Sequence, residues 1–164
     1  MSTITKNTKI EELLYEVSDP EIPVLSIMDM GIVRSIKEEG QNLFIEITPT
    51  YSGCPAMDVI GDDIKKVLEE AGYNVTIKLI LSPAWTTDWI TETGQNKLKE
   101  YGIAPPLDPT ADKAALYGNQ KVVNCPRCQS KNTKVISQFG STACKALFQC
   151  NECLEPFDYF KCLK

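Results

Sequence analysis

Residues 43–81 read LFIEITPTYSGCPAMDVIGDDIKKVLEEAGYNVTIKLIL. Leu43, Ile45 and Ile47 alternate with Phe44 and Glu46, the period-two pattern of a strand with one covered face. Val59, Ile60, Ile64, Val67, Leu68 and Ala71 then recur at helical spacing. Asp62, Asp63, Lys65 and Lys66 form the wet side, and Gly72 is placed to end the helix in a left-handed residue. Val75, Ile77, Leu79 and Leu81 alternate again as a further strand.

Upstream, Thr8 and Glu11 form a capping box, and Ile10, Leu13, Leu14 and Val17 predict an amphipathic helix over 8–17 that Asp19-Pro20 ends. Ile32 to Lys37 should pair with Leu43 to Thr48 across the polar turn Glu39 to Asn42. Downstream, Asp88 to Tyr101 reads as a helix stopping at Gly102. The order αββαβα implies an α+β fold in which helices cover a three-stranded sheet. A chain of 164 residues, 43% of them hydrophobic, can bury one ordinary core and a small satellite.

Charge divides the chain. Residues 1–104 hold 9 basic and 17 acidic side chains, net −8, and residues 105–164 hold 8 and 5, net +3. Pro105-Pro106-Leu107-Asp108-Pro109 interrupts any helix or central strand, so 105–123 is expected to be a linker between a domain at 1–104 and a second at 124–164. No apolar run reaches the roughly 18 residues of a membrane helix, and MSTITKNTKIEE lacks the layout of a secretory signal. A cytoplasmic protein with no membrane association is expected.

Six of the seven cysteines follow residue 104, and there is no histidine. That removes Ser-His triads, His bases and mixed Cys/His zinc sites. Cys125-Pro-Arg-Cys128 and Cys150-Asn-Glu-Cys153, separated by 21 residues, match the spacing of a four-cysteine zinc site. Each C-x-x-C turn aims two sulfurs at one point, and Val135 to Phe139 with Lys145 to Gln149 can form hairpin arms between them. The expected domain is a zinc-ribbon β domain with structural zinc on Cys125, Cys128, Cys150 and Cys153. An iron-sulfur cluster on the same ligands, or a redox C-x-x-C, are the other readings. About 40 residues bury too little apolar surface to fold alone, so metal ligation should supply most of this part's stability. Cys144 and Cys162 lie outside the two pairs, as buried small hydrophobes or as auxiliary metal or redox thiols.

Cys54 stands in Thr48-Pro-Thr50-Tyr-Ser-Gly53-Cys54-Pro55, between a strand and the long helix. With Pro55 as first helical residue, the sulfur would sit at the helix N-cap, where amide groups and the helix dipole stabilise a thiolate. A small apolar residue in a tight turn is the alternative. Asp29, in Asp29-Met-Gly31-Ile-Val33, reads by itself as a turn residue.

Asp19-Pro-Glu-Ile-Pro23, Asp29-Met-Gly-Ile-Val33 and Thr48-x-Thr50-x-x-Gly53-Cys54-Pro55, in that order, resemble the signature of SufT-like iron-sulfur assembly domains, over residues 10 to about 82. Ser82-Pro-Ala-Trp85-Thr-Thr-Asp-Trp89-Ile90, Phe139-Gly-Ser-Thr-x-Cys144-Lys-Ala146 and Glu155-Pro-Phe-Asp-Tyr-Phe-Lys-Cys162 extend the resemblance to the PaaD family, which adds a zinc ribbon to that domain. Pro49, between the two threonines, is an unusual choice that can alter strand pairing. The resemblance implies that Asp29, Thr48, Thr50 and Cys54 gather at one surface as a transfer site for iron or an iron-sulfur cluster. It further implies a non-catalytic maturation factor of the phenylacetyl-CoA epoxidase system of phenylacetate degradation. Its partners would be the oxygenase or reductase subunits and the iron-sulfur assembly machinery, with the ribbon as docking element.

Trp85, Trp89, Phe157, Tyr159 and Phe160 are candidates for the docking surface, with a place in the core as the alternative. Two other functions compete. A cysteine-dependent thiol or redox enzyme using Cys54 would lack a neighbouring base. A nucleic-acid-binding ribbon is disfavoured, because four thiolates and one Zn²⁺ reduce the net +3 to about +1 and the first domain is acidic. The sheet edge permits a homodimer without requiring one.

Overall fold

The structure, a computed structural model, describes residues 7–117 and 123–162. It divides into two units, residues 1–94 and 95–164. In the first, α1 (Thr8–Tyr15) is followed by β1 (Val33–Glu39), β2 (Asn42–Ile47), α2 (Ala56–Glu70) and β3 (Asn74–Leu79). The cap of α1 is Asn7, whose side chain accepts the Lys9 N–H at 3.2 Å, so Thr8 is the first helical residue and not the expected capping-box cap. β1 and β2 form the expected antiparallel hairpin, pairing Glu39 with Asn42 and Val33 with Ile47. β3 runs parallel to β2, so the sheet order is β1-β2-β3 and α2 is the crossover between parallel strands.

Leu43, Ile45 and Ile47 of β2 and Ile60, Ile64 and Leu68 of α2 are all buried. The apolar stripe of α2 is narrower than its sequence suggests. Val59, beside the buried row, is 48% exposed. Leu79, on the edge strand β3, is 51% exposed, and Leu81, expected in the same strand, lies beyond its end at Leu79 and is 62% exposed. The helix expected over 88–101 is split into a 3-10 turn (Thr87–Trp89) and α3 (Glu92–Tyr101). Between them Ile90 is extended, and the Thr91 N–H donates to the Asp29 carbonyl at 2.9 Å. That tertiary bond replaces a turn of helix. No helix among the described residues is long and apolar enough to cross a membrane.

The second unit is built on a four-stranded sheet of order β4-β7-β6-β5, comprising β4 (Ile103–Ala104), β5 (Thr133–Ser137), β6 (Lys145–Cys150) and β7 (Pro156–Phe160). β5 and β6 are the expected hairpin arms, and β7 pairs antiparallel with β6. The stretch read as a linker carries α4 (Pro109–Leu116), while residues 118–122 of it lie outside the described residues. Asp108 caps α4, accepting from the N–H groups of Thr110 and Ala111 at 3.0 and 3.1 Å. The proline taken as a breaker opens this helix, at a position where its missing N–H costs nothing.

Ala104, Leu107, Ala115 and Leu116 join Phe148, Phe157 and Tyr159 in one apolar cluster. A buried network fastens α4 to β7. The Tyr159 hydroxyl donates to Asp112 Oδ1 at 2.5 Å, the Cys162 N–H donates to the same oxygen at 2.8 Å, and the Leu107 N–H donates to the Tyr159 hydroxyl at 3.2 Å. Asp112→Ala strands a buried hydroxyl and an amide, a cost of about 2 kcal/mol. The expected outcome is faster hydrogen exchange at β7 amides with protection in β1–β3 unchanged, read by mass spectrometry.

Candidate functional site

Two loops of the second unit repeat one geometry. The Cys125 N–H donates to the Ser130 carbonyl at 2.9 Å and the Cys150 N–H to the Glu155 carbonyl at 3.0 Å. Four residues past the first cysteine of each turn stand Gln129 and Leu154, both with φ of 63°. Each turn therefore doubles back through a left-handed residue that is not glycine, which the C-x-x-C spacing alone did not reveal. The sulfurs of Cys125, Cys128, Cys150 and Cys153 all lie within 4.8 Å of one another.

Those four residues fit zinc. A tetrahedron with zinc-sulfur bonds of roughly 2.3 Å has edges of about 3.8 Å. The Cys125–Cys153 and Cys128–Cys150 sulfur separations are 3.7 and 3.5 Å, far beyond the ~2.05 Å of a disulfide bond. The amide of Cys153, and then that of Glu152, hold the Cys150 thiol down to about 7, whereas desolvation and the neighbouring sulfurs push Cys128 and Cys153 up, so the full set of thiolates calls for a cation among them. Zinc bound here would supply cross-linking of the two turns. The chain's own contribution is convergent sulfurs, amides aimed at them, and the Arg127–Glu155 ion pair at 2.6 Å, exposed and worth little by itself.

The second candidate site lies where β2 gives way to α2. The strand ladder stops at Ile47, two residues before Pro49, whose missing N–H therefore breaks no rung. Thr48 is fully buried, its N–H donates to the Ile32 carbonyl at 3.0 Å, and its hydroxyl has no hydrogen-bond partner among the described residues. Thr50 and Tyr51 are half-buried, and Gly53 turns the chain with φ of 77°. The N-cap of α2 is Pro55, so Cys54 stands one residue before the cap and not on it. Its sulfur does meet the Ala56 amide, as the helix-terminus reading expected. The expected thiolate stabilisation does not follow: burial pushes the Cys54 thiol up, and the carboxylates of Glu21 and Asp19 add to the rise.

Glu21 and Asp19 are thus the charged groups acting on this sulfur, although by sequence they stand out only as part of a motif. Asp19 is buried and fixed, accepting from the N–H groups of Glu21 and Ile22 at 2.8 and 2.9 Å, which sets where Glu21 begins. A pair of acids two residues apart, followed by a buried apolar residue, was the available signal.

Asp29 is buried in the turn that leads into β1, three residues before the Ile32 carbonyl that receives Thr48. Its Oδ1 accepts the Thr91 hydroxyl at 2.8 Å. This turn is clamped by the segment predicted to offer aromatic docking residues. Trp85 Nε1 donates to the Met30 carbonyl at 2.8 Å, and Arg34 stacks 3.4 Å over the Trp89 ring. A Cβ at Gly31, where φ is 68°, would come within 2.6 Å of the Trp89 carbonyl oxygen, so glycine is required there. Trp85, Phe157, Tyr159 and Phe160 are buried, the core alternative, and Trp89 is half-buried.

Cys144 and Cys162 stand outside the four-sulfur group. Cys144 is buried with its sulfur 3.1 Å from the Thr142 hydroxyl, and Cys162 contributes its N–H to the Asp112 network.

Two outcomes follow. Chelation, or Cys125→Ser, is expected to abolish hydrogen-exchange protection in β5–β7 and release one zinc per chain in a chromogenic assay, while β1–β3 stay protected. Glu21→Gln removes a charge that opposes the Cys54 thiolate. The pH midpoint of Cys54 alkylation by iodoacetamide, mapped by mass spectrometry, should start above the ordinary cysteine value and move down in the variant.

Comparison with known proteins accords with this two-part geometry. Residues 7–79 match the family described as iron-sulfur cluster assembly protein, and residues 109–161 match the PaaD zinc beta ribbon domain. A protein of Escherichia coli (strain K12), provisionally named as a subunit of 1,2-phenylacetyl-CoA epoxidase, is 48% identical over 156 residues, covering 94% of this chain and 92% of that protein. An Fe-S protein maturation auxiliary factor of Porphyromonas gingivalis is 32% identical over 93 residues, 54% of this chain and 87% of that one. Among solved structures, a Bacillus anthracis domain of unknown function, DUF59, superposes with a TM-score of 0.52 at 27% identity, covering 56% of this chain and 89% of the other. With close to half its residues identical to the Escherichia coli protein along nearly the whole chain, and both domains matched in the same order, this chain belongs to the PaaD family.

Proposed function

We propose that this chain is a maturation factor of a phenylacetyl-CoA epoxidase system, receiving iron or an iron-sulfur cluster at Cys54 and passing it to a partner subunit. The observation that carries the reading is the Thr48 hydroxyl. Burying a hydroxyl without a partner costs about 1–3 kcal/mol, and the chain accepts that cost in the segment that leads to Cys54. An incoming metal, sulfide or bound water would give it a partner.

In this reading Cys54 is the transient ligand. Because burial, Glu21 and Asp19 keep the thiol protonated, it gives up its proton as the cationic cargo arrives, with Glu21 beside it to carry that proton away. Asp29, held by Thr91, braces the turn on which Thr48 leans and orients the site. Thr50, half-buried in the same loop, offers a second hydroxyl. The four-cysteine ribbon has a different role, holding structural zinc and presenting a folded surface to the client or to the assembly machinery. The relatives named for Fe-S protein maturation and for the epoxidase support the two halves of this assignment. The protein itself would turn over no substrate, and it would act in the cytoplasm, where the client enzymes are made.

Thr48→Val separates this from a packing role, because it keeps the shape and removes the hydroxyl. The expected result is a protein more stable by about 1 kcal/mol that matures the epoxidase poorly. Cys54→Ser should behave alike in maturation without the stability gain. Both are read as iron per epoxidase subunit isolated from cells carrying each variant. Unchanged iron in both variants would remove Cys54 and Thr48 from the mechanism.

A further inference from the structure

Among the described residues the outer edge of β3 is open, and its backbone polarity can be assigned. The Asn74 N–H donates to the Gln41 carbonyl and the Ile80 N–H to the Ile47 carbonyl, each at 2.8 Å, so the even-numbered residues of this strand point their amides toward β2. Alternation then turns the N–H and C=O groups of Val75, Ile77 and Leu79 outward. Beside that edge, between α2 and β3, runs an open groove of about 420 Å³ whose lining includes Asp58, Gly61, Lys65, Ile77 and Leu79. A protein edge of this kind is ordinarily blunted by proline, a bulge or charged side chains; β3 has neither proline nor bulge, and its one charge, Lys78, is paired with Glu46 of β2.

We propose that this chain forms a two-fold symmetric dimer in which β3 pairs antiparallel with β3 of a second copy, centred on Ile77. In that register Ile77 exchanges hydrogen bonds with Ile77 of the second copy, and Val75 and Leu79 each meet the other across the axis. All are outward-facing positions, so the edge groups find partners, and the half-exposed Leu79 side chain enters the groove of the second copy. The helices agree with the strands. A Cβ at Gly61 would lie 4.0 Å from Ile77 Cδ1, so Gly61, in the N-terminal half of α2, stands over the residue on the axis. Since α2 is antiparallel to β3, the same two-fold sets α2 antiparallel to α2 of the second copy, with glycine where they approach most closely. Asp58 then faces Lys65 of the second copy, and Lys65 faces Asp58. Asp62, the residue after Gly61, lies one turn from Lys65 of its own helix. Neither Asp58 nor Lys65 has an ion-pair partner among the described residues of its own copy. A self-complementary edge, groove and charge pattern about one axis is what an isologous interface requires, and a heterologous partner would not need it.

Sedimentation velocity of the full zinc-loaded chain tests this. The expected mass is about 37 kDa, twice the 18.3 kDa chain. Leu79→Lys and Asp58→Lys should each weaken dimerisation at least about ten-fold, with zinc content and the circular dichroism spectrum unchanged. Adding Lys65→Asp to Asp58→Lys should restore it. A wild-type monomer at concentrations up to about 1 mM overturns the proposal, as does a dimer that neither single substitution weakens. So does failure of the charge swap to restore association. None of these results bears on metal handling at Cys54, which is read separately.

Discussion

The parallel pairing of β2 with β3 is the constraint on which the first unit depends. Parallel neighbours cannot be joined by a tight turn, so the chain must leave the sheet after Ile47, cross as α2 and return at Asn74. The departure point lies at the C-terminal end of a parallel strand, where strand-to-helix loops gather functional groups. Thr48, Thr50 and Cys54 occupy that loop, and the Thr48 amide anchors it to the carbonyl of Ile32, the residue just before β1. The same topology leaves β3 on the outside with an open edge. One architectural decision therefore creates both the candidate transfer site and the edge proposed for pairing with a second copy.

The second unit depends on a different constraint, the convergence of four sulfurs. A short three-stranded β-ribbon would be marginal by itself, and here two additions enlarge it. The four-cysteine site that fits zinc lies at one end, and α4 with β4 covers part of the sheet through the Asp112–Tyr159 network and the apolar cluster around Phe148. The two C-x-x-C turns share their hydrogen bonding and their left-handed fourth residue, so the ligands are presented symmetrically by local backbone geometry.

Strong periodicity made most of the fold legible. Leu43, Ile45 and Ile47, the Ile60–Ile64–Leu68 row and the spacing of four cysteines each had a local cause, and local causes can be read from a sequence. What could not be read was set by tertiary partners. Val59 looked like core because it adjoins Ile60, yet the sheet beneath α2 is too narrow to cover it. The helix expected from Asp88 gave way at Ile90 because Asp29 claimed the Thr91 amide. Pro105 to Pro109 looked like a spacer, since proline is a breaker except when the next segment begins with it. At the candidate site, Cys54 and Thr48 were found from their motif. The sign of the thiol's shift depended on Glu21 and Asp19, more than 30 residues away in sequence, and no local rule could supply it.

The proposed function divides the labour within a PaaD-family chain: a ribbon for recognition, and a loop with a buried hydroxyl and a thiol of raised pKa for cargo. The most direct test is to determine zinc, iron and acid-labile sulfide per chain in wild-type and Cys54→Ser protein purified without oxygen. The account predicts one zinc in both, and iron that accompanies wild type and is lost from Cys54→Ser. Iron absent from wild type, or retained equally by the variant, would contradict it.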